Sequence, residues 1–292
     1  MREELMNKIV EAVKEKVGTE CKVQHREVKK NNGLVLQAIE IWEPGTTETV
    51  EIYIDGLLDR VESGDTGLQE AAREVIRIHK EYYSNEFTDI VRRIDKRYVL
   101  ANATYQLVNA EKNRERLSDM PYRDFLDLAV IYRVNVGENG SGTTSFAVGN
   151  AICKKYGIND AELERAARRN TERKGFRTWS FDSIIAEITG IPEVDGEGEY
   201  PMWVISNSQK INGAAVMLYE GYFDILARRI ESDLYILPSS IHEVIVVPVN
   251  GMEKDEWRTM VSIVNSSEVP EHEILSENVY RYCRKENRVV IA

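Results

Sequence analysis

The sequence predicts an α+β fold: mixed, largely antiparallel hairpins with segregated helices, in two layers. Three observations carry this. Amphipathic stripes of helical period recur along the chain, short apolar runs pair off across turn residues as hairpins, and no regular βαβα alternation points to a doubly wound parallel sheet.

The first element is a helix from Arg2 to Val17, with Leu5, Met6, Ile9, Val10, Val13 and Val17 at helical spacing and Gly18 as its stop. Cys21, Val23 and His25 then lead to a turn at Lys29 to Gly33, and Leu34, Leu36, Ala38, Ile39 and Ile41 read as the returning strand. Pro44-Gly45 turns the chain into a strand from Val50 to Ile54. Leu68, Ala71, Ala72, Val75, Ile76 and His79 form the stripe of a second helix. Residues 1–83 thus form an α-β-β-β-α layer.

A central part, 84–192, opens on a long helical reading from Ile90 to Leu117, with Ile94, Tyr98, Ala101, Tyr105 and Val108 on one stripe and Met120-Pro121 as its break. Phe125 to Tyr132 reads as a buried strand. Glu138 to Gly142 turns it into a partner at Thr143 to Val148. Helices follow at Asn150 to Tyr156, at Asp160 to Lys174 (Asp160 as N-cap, Gly175 as stop) and at Phe181 to Thr189. The acidic, glycine-rich stretch Glu193 to Glu199 reads as a linker.

The remaining part, 200–292, reads as hairpin, helix, hairpin, helix, hairpin. Its elements are Met202 to Ile205 with Ala214 to Tyr219, a helix from Tyr222 to Glu231, and strands flanking Pro238 to Glu243. A helix from Lys254 to Asn265 and a hairpin from Asn278 to Ala292 follow.

The chain has 38 basic and 49 acidic residues, a net charge of −11 that disfavours phosphate backbones and anionic lipid except at a local basic patch. Cys21, Cys153 and Cys283 are odd in number and far apart, which argues for reduced thiols in the cytoplasm and against a disulfide framework. No apolar run approaches the ~18 residues of a membrane span, and the first residues, with early acids, do not read as a signal peptide.

Ser239, Ser240, His242 and Glu243 are the candidate catalytic residues. They contain the nucleophile, base and carboxylate of a hydrolytic triad, gathered at one hairpin tip. Adjacent side chains of a strand point apart, so His242 and Glu243 need partners from elsewhere in the fold. A structural turn, with serines bonded to backbone, is the simpler account. The four histidines, His25, His79, His242 and His272, show no metal-ligand spacing, and the sequence implies neither metal nor cofactor. Gly137 to Thr144 lacks the lysine and the helix of a phosphate loop. Arg165, Arg169 and Arg173 recur at i, i+4 and i+8 on one helix. They are the candidate binding residues for a phosphorylated ligand or nucleic acid, with Phe176 and Trp179 as stacking surfaces. The 14 tyrosines against 6 phenylalanines suit half-buried boundaries and interfaces.

Asn109 to Asn113, Phe125 to Val130, Asn212 to Ala215 and, above all, Asp233 to Pro248 resemble a bacterial family known as domain of unknown function 5688 (DUF5688), over nearly the whole chain. A second family, DUF1444-like, is similar in element order from Gly149 to Phe176 but carries other polar residues at the hairpin tip. Neither resemblance implies an activity. With no complete catalytic constellation, the sequence points to a non-enzymatic, cytoplasmic protein-binding or regulatory protein. Its alternatives are a hydrolase centred on His242 and Glu243, and phosphate-ligand or nucleic-acid binding through Arg165 to Arg177. Oligomeric state is left open.

Overall fold

The structure, a computed structural model, describes residues 2–45, 49–82, 93–139, 142–189, 201–238 and 240–292. It divides into two compact units, Met1–Ile94 and Asp95–Ala292. All strand pairings are antiparallel among the described residues, and the helices are segregated from them, so the α+β class holds.

The first unit is two-layered. Strands β1 (Lys22–Lys29), β2 (Val35–Trp42) and β3 (Glu51–Tyr53) pair in that order. Helices α1 (Arg2–Val17) and α3 (Leu68–Tyr82) bury Met6, Ile9, Val10, Val13, Ala71, Ala72 and Val75 against Ile39, Ile41 and Ile52. Gly18 ends α1 at φ +85, where an L side chain is strained, and its N–H bonds the Lys14 carbonyl at 3.2 Å. A short helix, α2 (Asp55–Glu62), adds to the expected α-β-β-β-α order.

The second unit holds two sheets. The four-stranded one centres on β6 (Leu128–Asn139). Along one edge β6 pairs β4 (Ala103–Asn109), and along the other it pairs β5 (Tyr122–Phe125) and then β7 (Gly142–Ala147). Two expectations are corrected here. The described part of Ile90 to Leu117 is α4 (Lys96–Asn102), then β4, then α5 (Arg114–Leu117). Strand β4 does alternate briefly, with Thr104 and Gln106 polar and buried between Ala103, Tyr105 and Leu107, but Tyr98, Ala101, Tyr105 and Val108 also fall on a helical stripe by coincidence. Phe125 to Tyr132 is not one strand. Phe125 pairs Leu128 across a two-residue turn, with Leu126 at φ +57 in a position usually given to Gly, Asn or Asp.

Helices α6 (Asn150–Tyr156), α7 (Asp160–Lys174) and α8 (Phe181–Thr189) match their expected spans. The cap of α7 lies one residue earlier than expected. Asn159 accepts from the Glu162 N–H at 2.9 Å, and the Glu162 carboxylate accepts from the Asn159 N–H at 3.2 Å. This reciprocal box needs a Glu or Gln three positions after the cap, and three positions after Asp160 stands Leu163. The stretch Glu193 to Glu199 lies outside the described residues, as does part of the Glu138 to Gly142 turn.

The six-stranded sheet runs β13 (Arg288–Ile291), β12 (Tyr280–Cys283), β10 (Leu234–Leu237), β11 (Val244–Pro248), β9 (Trp203–Ser206), β8 (Arg177–Ser180). Helix α10 (Lys254–Ser267) covers one face, burying Trp257 and Val261 on Tyr235, Leu237 and Val247. On the other face Phe223 of α9 (Glu220–Arg229) meets Tyr282, with ring centroids 5.9 Å apart. Ala214 to Tyr219 is not the second strand of a hairpin. Gly213–Leu218 is a buried 3-10 helix between β4 of one sheet and β9 of the other. Among the described residues no helix is long and apolar enough to cross a membrane.

Candidate functional site

The polar tip between β10 and β11 is built from its backbone outward. Ile241 is buried, donates its N–H to the Glu273 carbonyl at 2.9 Å and accepts from the Ala214 N–H at 3.3 Å. The His242 carbonyl accepts from Ser206 Oγ at 2.7 Å. Gly213 faces this turn at such close quarters that a Cβ would lie 2.1 Å from Ser206 Oγ, 2.5 Å from the His242 carbonyl oxygen and 2.8 Å from the Asn207 nitrogen. Only glycine permits this approach.

Of the candidate catalytic residues, Ser239 lies outside the described residues. Ser240, 4% exposed, donates to Glu243 Oε1 at 2.7 Å and accepts from the His242 N–H at 2.9 Å. The imidazole faces elsewhere. Nδ1 of His242 accepts from the Asn212 N–H at 3.2 Å, and Nε2 lies 3.5 Å from Glu273 Oε1. The structure therefore brings serine to carboxylate and histidine to a backbone amide. A general base needs a lone pair aimed at the nucleophile's proton, and the Nδ1 lone pair of His242 is already taken by Asn212.

Ser206, Asn212, Gly213 and Glu273 complete the tip, and none was a candidate from sequence. Their signal is faint: Asn212-Gly213 stands out only within Asn212 to Ala215, one of the stretches that resemble the family, and Glu273 is thirty positions from the tip. The neighbouring loop, with Asn207, Gln209 and Asn212, lines a polar cleft of about 20 Å³ together with Tyr105, Thr171 and Lys174. That is room for about one water. His272 Nε2 also approaches Glu273 Oε1, at 3.7 Å. Even so, among the described residues no group of three His, Cys, Asp or Glu side chains is arranged to hold a metal ion.

Arg165, Arg169 and Arg173 all stand exposed along α7. Arg165 Nε donates to the Ala161 carbonyl at 3.1 Å, and Arg169 lines a groove shared with α4. Phe176 and Trp179 are engaged within the chain. Phe176 packs on Tyr219 and Tyr222 at 5.5 and 5.1 Å, and Lys210 sits 5.6 Å over the Trp179 ring.

The central tyrosines also face inward. Tyr105 and Tyr132, paired across β4 and β6, donate to the two oxygens of Glu164 at 2.7 and 2.6 Å. Arg123 Nε stands 3.2 Å from the same carboxylate. Burial, and then the Glu164 charge, push both phenols above their ordinary range, so they stay protonated donors.

Fold and tip together define an antiparallel α+β protein whose most distinctive polar turn is closed by its own hydrogen bonds. The chain belongs to the family of unknown function DUF5688, whose family model matches residues 2–284. Neither a curated protein nor a solved structure matches it.

Proposed function

We propose that the protein acts by binding another protein, in the bacterial cytoplasm, without catalysing a reaction. The outer face of α10 is the observation that carries this reading. Trp257, Val261 and Asn265 turn inward, leaving Met260 and Ile263 42% and 61% exposed on the opposite side. From Thr259 to Ser267 there is no charged residue, in a chain with 30% charged residues. The hydroxyls on this face are largely spent on their own helix. Thr259 donates to the Asp255 carbonyl at 2.9 Å, and Ser266 and Ser267 donate to the Ile263 carbonyl at 2.8 and 3.1 Å. Covering such a face strips little water from unsatisfied groups, which lowers the desolvation cost of docking.

The partner's chemistry follows from the rim. Asp255, Glu256, Glu268 and Glu271 are exposed around the patch, against Lys254 and Arg258. A partner with an apolar centre and a basic surround complements it, whereas a second copy of a chain with net charge −11 is repelled. Free thiols at Cys21, Cys153 and Cys283 fit a reducing compartment. The hydrolase reading is weaker, because the tip holds serine away from imidazole and the adjacent cleft is water-sized.

The test is a photo-crosslinker at Ser267, exposed one turn from Ile263 on the same side of α10, in the tagged full chain expressed in its native cell. A light-dependent adduct to a different protein, lost on Ile263→Asp, is expected. Failure to form one, an adduct only to a second copy, or an equal yield from a crosslinker at Lys285 overturns the proposal.

A further inference from the structure

We propose that the groove between α4 and α7 binds a small phosphorylated molecule, with Arg97 and Arg169 on the phosphoryl oxygens and Leu100 and Ala101 beneath the organic part. The groove is open, measures about 570 Å³ and is lined by Asp95, Lys96, Arg97, Leu100, Ala101 and Arg169. That volume lies within the range of small-molecule sites.

Charge commitment separates its acids from its arginines. Asp95 caps α4 by accepting from the Tyr98 N–H at 2.7 Å. Glu162, at the edge, is held by Lys96 at 2.9 Å and by the Asn159 N–H, which together keep its carboxyl below the ordinary range. Lys96 also donates to the Gly157 carbonyl at 2.8 Å. By contrast, among the described residues Arg97 and Arg169 have neither a hydrogen bond nor an ion pair. In a chain with eleven more acids than bases, two uncommitted guanidiniums on one groove are a place for an anion from outside.

The groove is also rigid where it matters. Asn170, next to Arg169, is buried and donates to the Leu100 and Ala103 carbonyls, both at 2.9 Å. These bonds tie α7 to the last turn of α4, so that Arg169 and Leu100 line one groove. Arg165 and Arg173 extend the same ridge, each about 6 Å along the axis from Arg169. A compact ligand fits better than a nucleic-acid strand, because Glu162 and Glu172 flank the ridge and the chain as a whole is acidic.

Calorimetric titration of the full chain at low salt tests this, with adenosine monophosphate as the phosphomonoester probe. Adenosine and a short single-stranded oligonucleotide are the comparison arms. Binding of the monophosphate with Kd below about 1 mM is expected, with no heat from adenosine and a loss of about tenfold or more in Arg97→Ala and Arg169→Ala. Both side chains lack partners, so both variants should keep the wild-type unfolding midpoint, and Lys285→Ala should bind as wild type. Absence of monophosphate binding, binding unchanged in both arginine variants, or tighter binding of the oligonucleotide through the same arginines overturns the proposal.

Discussion

Tyr280 donates its hydroxyl to Asp127 Oδ1 at 2.7 Å, so a fully buried phenol of the six-stranded sheet is held by the β5–β6 turn of the other sheet. The second oxygen of Asp127 accepts from Ser276 Oγ at 2.7 Å and Asn278 Nδ2 at 3.0 Å. One carboxylate thus satisfies three donors. Asp127→Ala strands all three and should cost about 3 kcal/mol, against about 1 kcal/mol for Tyr280→Phe, which removes a single bond. Urea unfolding measures both. An Asp127→Ala loss within about 0.5 kcal/mol would show that the junction is dispensable.

Gly213→Ala places a methyl group against Ser206 Oγ and two backbone atoms of the tip. Backbone cannot yield as a flexible side chain can, so a loss of about 2–3 kcal/mol is expected. Gly56→Ala, where a Cβ has open space, is the control and should not destabilise. Equal midpoints for the two variants would refute the tight packing of Gly213.

Asp233 carries a pH dependence. Burial works to raise its pKa, but the Arg284 N–H at 3.1 Å and the Arg281 guanidinium at 2.7 Å outweigh it and hold the carboxyl below the ordinary range. A depressed folded-state pKa means the contribution is complete above the unfolded carboxyl value of about 3.9 and is lost as pH falls through the folded value. Asp233→Asn should therefore cost about 1 kcal/mol at neutral pH. Its difference from wild type should shrink in acid. A difference that is the same at both ends would remove Arg281 and Arg284 as the cause.

In the first unit, Glu43 links a thiol to an imidazole. His79 Nε2 lies 2.9 Å from Oε1, and Cys21 Sγ lies 3.4 Å from Oε2. Burial and then the Glu43 hydrogen bond push the Cys21 thiol up. Since only the thiolate is alkylated, iodoacetamide should modify Cys21 more slowly than a free thiol. Glu43→Gln, which removes the negative charge, should speed the reaction by roughly threefold. Peptide mass spectrometry follows Cys21 separately from Cys153 and Cys283. An unchanged rate in Glu43→Gln would mean that burial alone sets the reactivity.

Helices α1, α3, α7 and α10 are legible in the sequence because each buries one stripe and wets the other, and the hairpins at Lys22–Trp42 and Leu234–Pro248 because turn residues separate apolar runs. Strand β4 is not legible. Residues 103–108 are all buried, and their short alternation, with Thr104 and Gln106 polar, is overlaid by the helical stripe that Tyr98, Ala101, Tyr105 and Val108 also satisfy. Nor is the turn at Leu126, where a bulky residue holds a positive φ at some cost in backbone strain. At the tip, the residue types of 239–243 suggest catalysis. What decides between catalysis and a closed turn is the pairing of His242 with Asn212 and Glu273, thirty and thirty-one positions away. Local patterning carries no information about such pairings.

The Asp127 junction also sets a clock on biosynthesis. Its three donors follow it by 149, 151 and 153 residues. At ordinary ribosomal speeds of 5–20 residues per second, that is a wait of about 8–30 s. Throughout it, the β5–β6 turn exists with its carboxylate unmatched, and the strands behind it lack the sheet they dock on. The four-stranded sheet has all its strands by Ala147, but its junction closes only when Tyr280 has been made. A nascent chain halted before Ser276 would hold a half-closed core, the form in which this protein is most open to chaperones and to proteases.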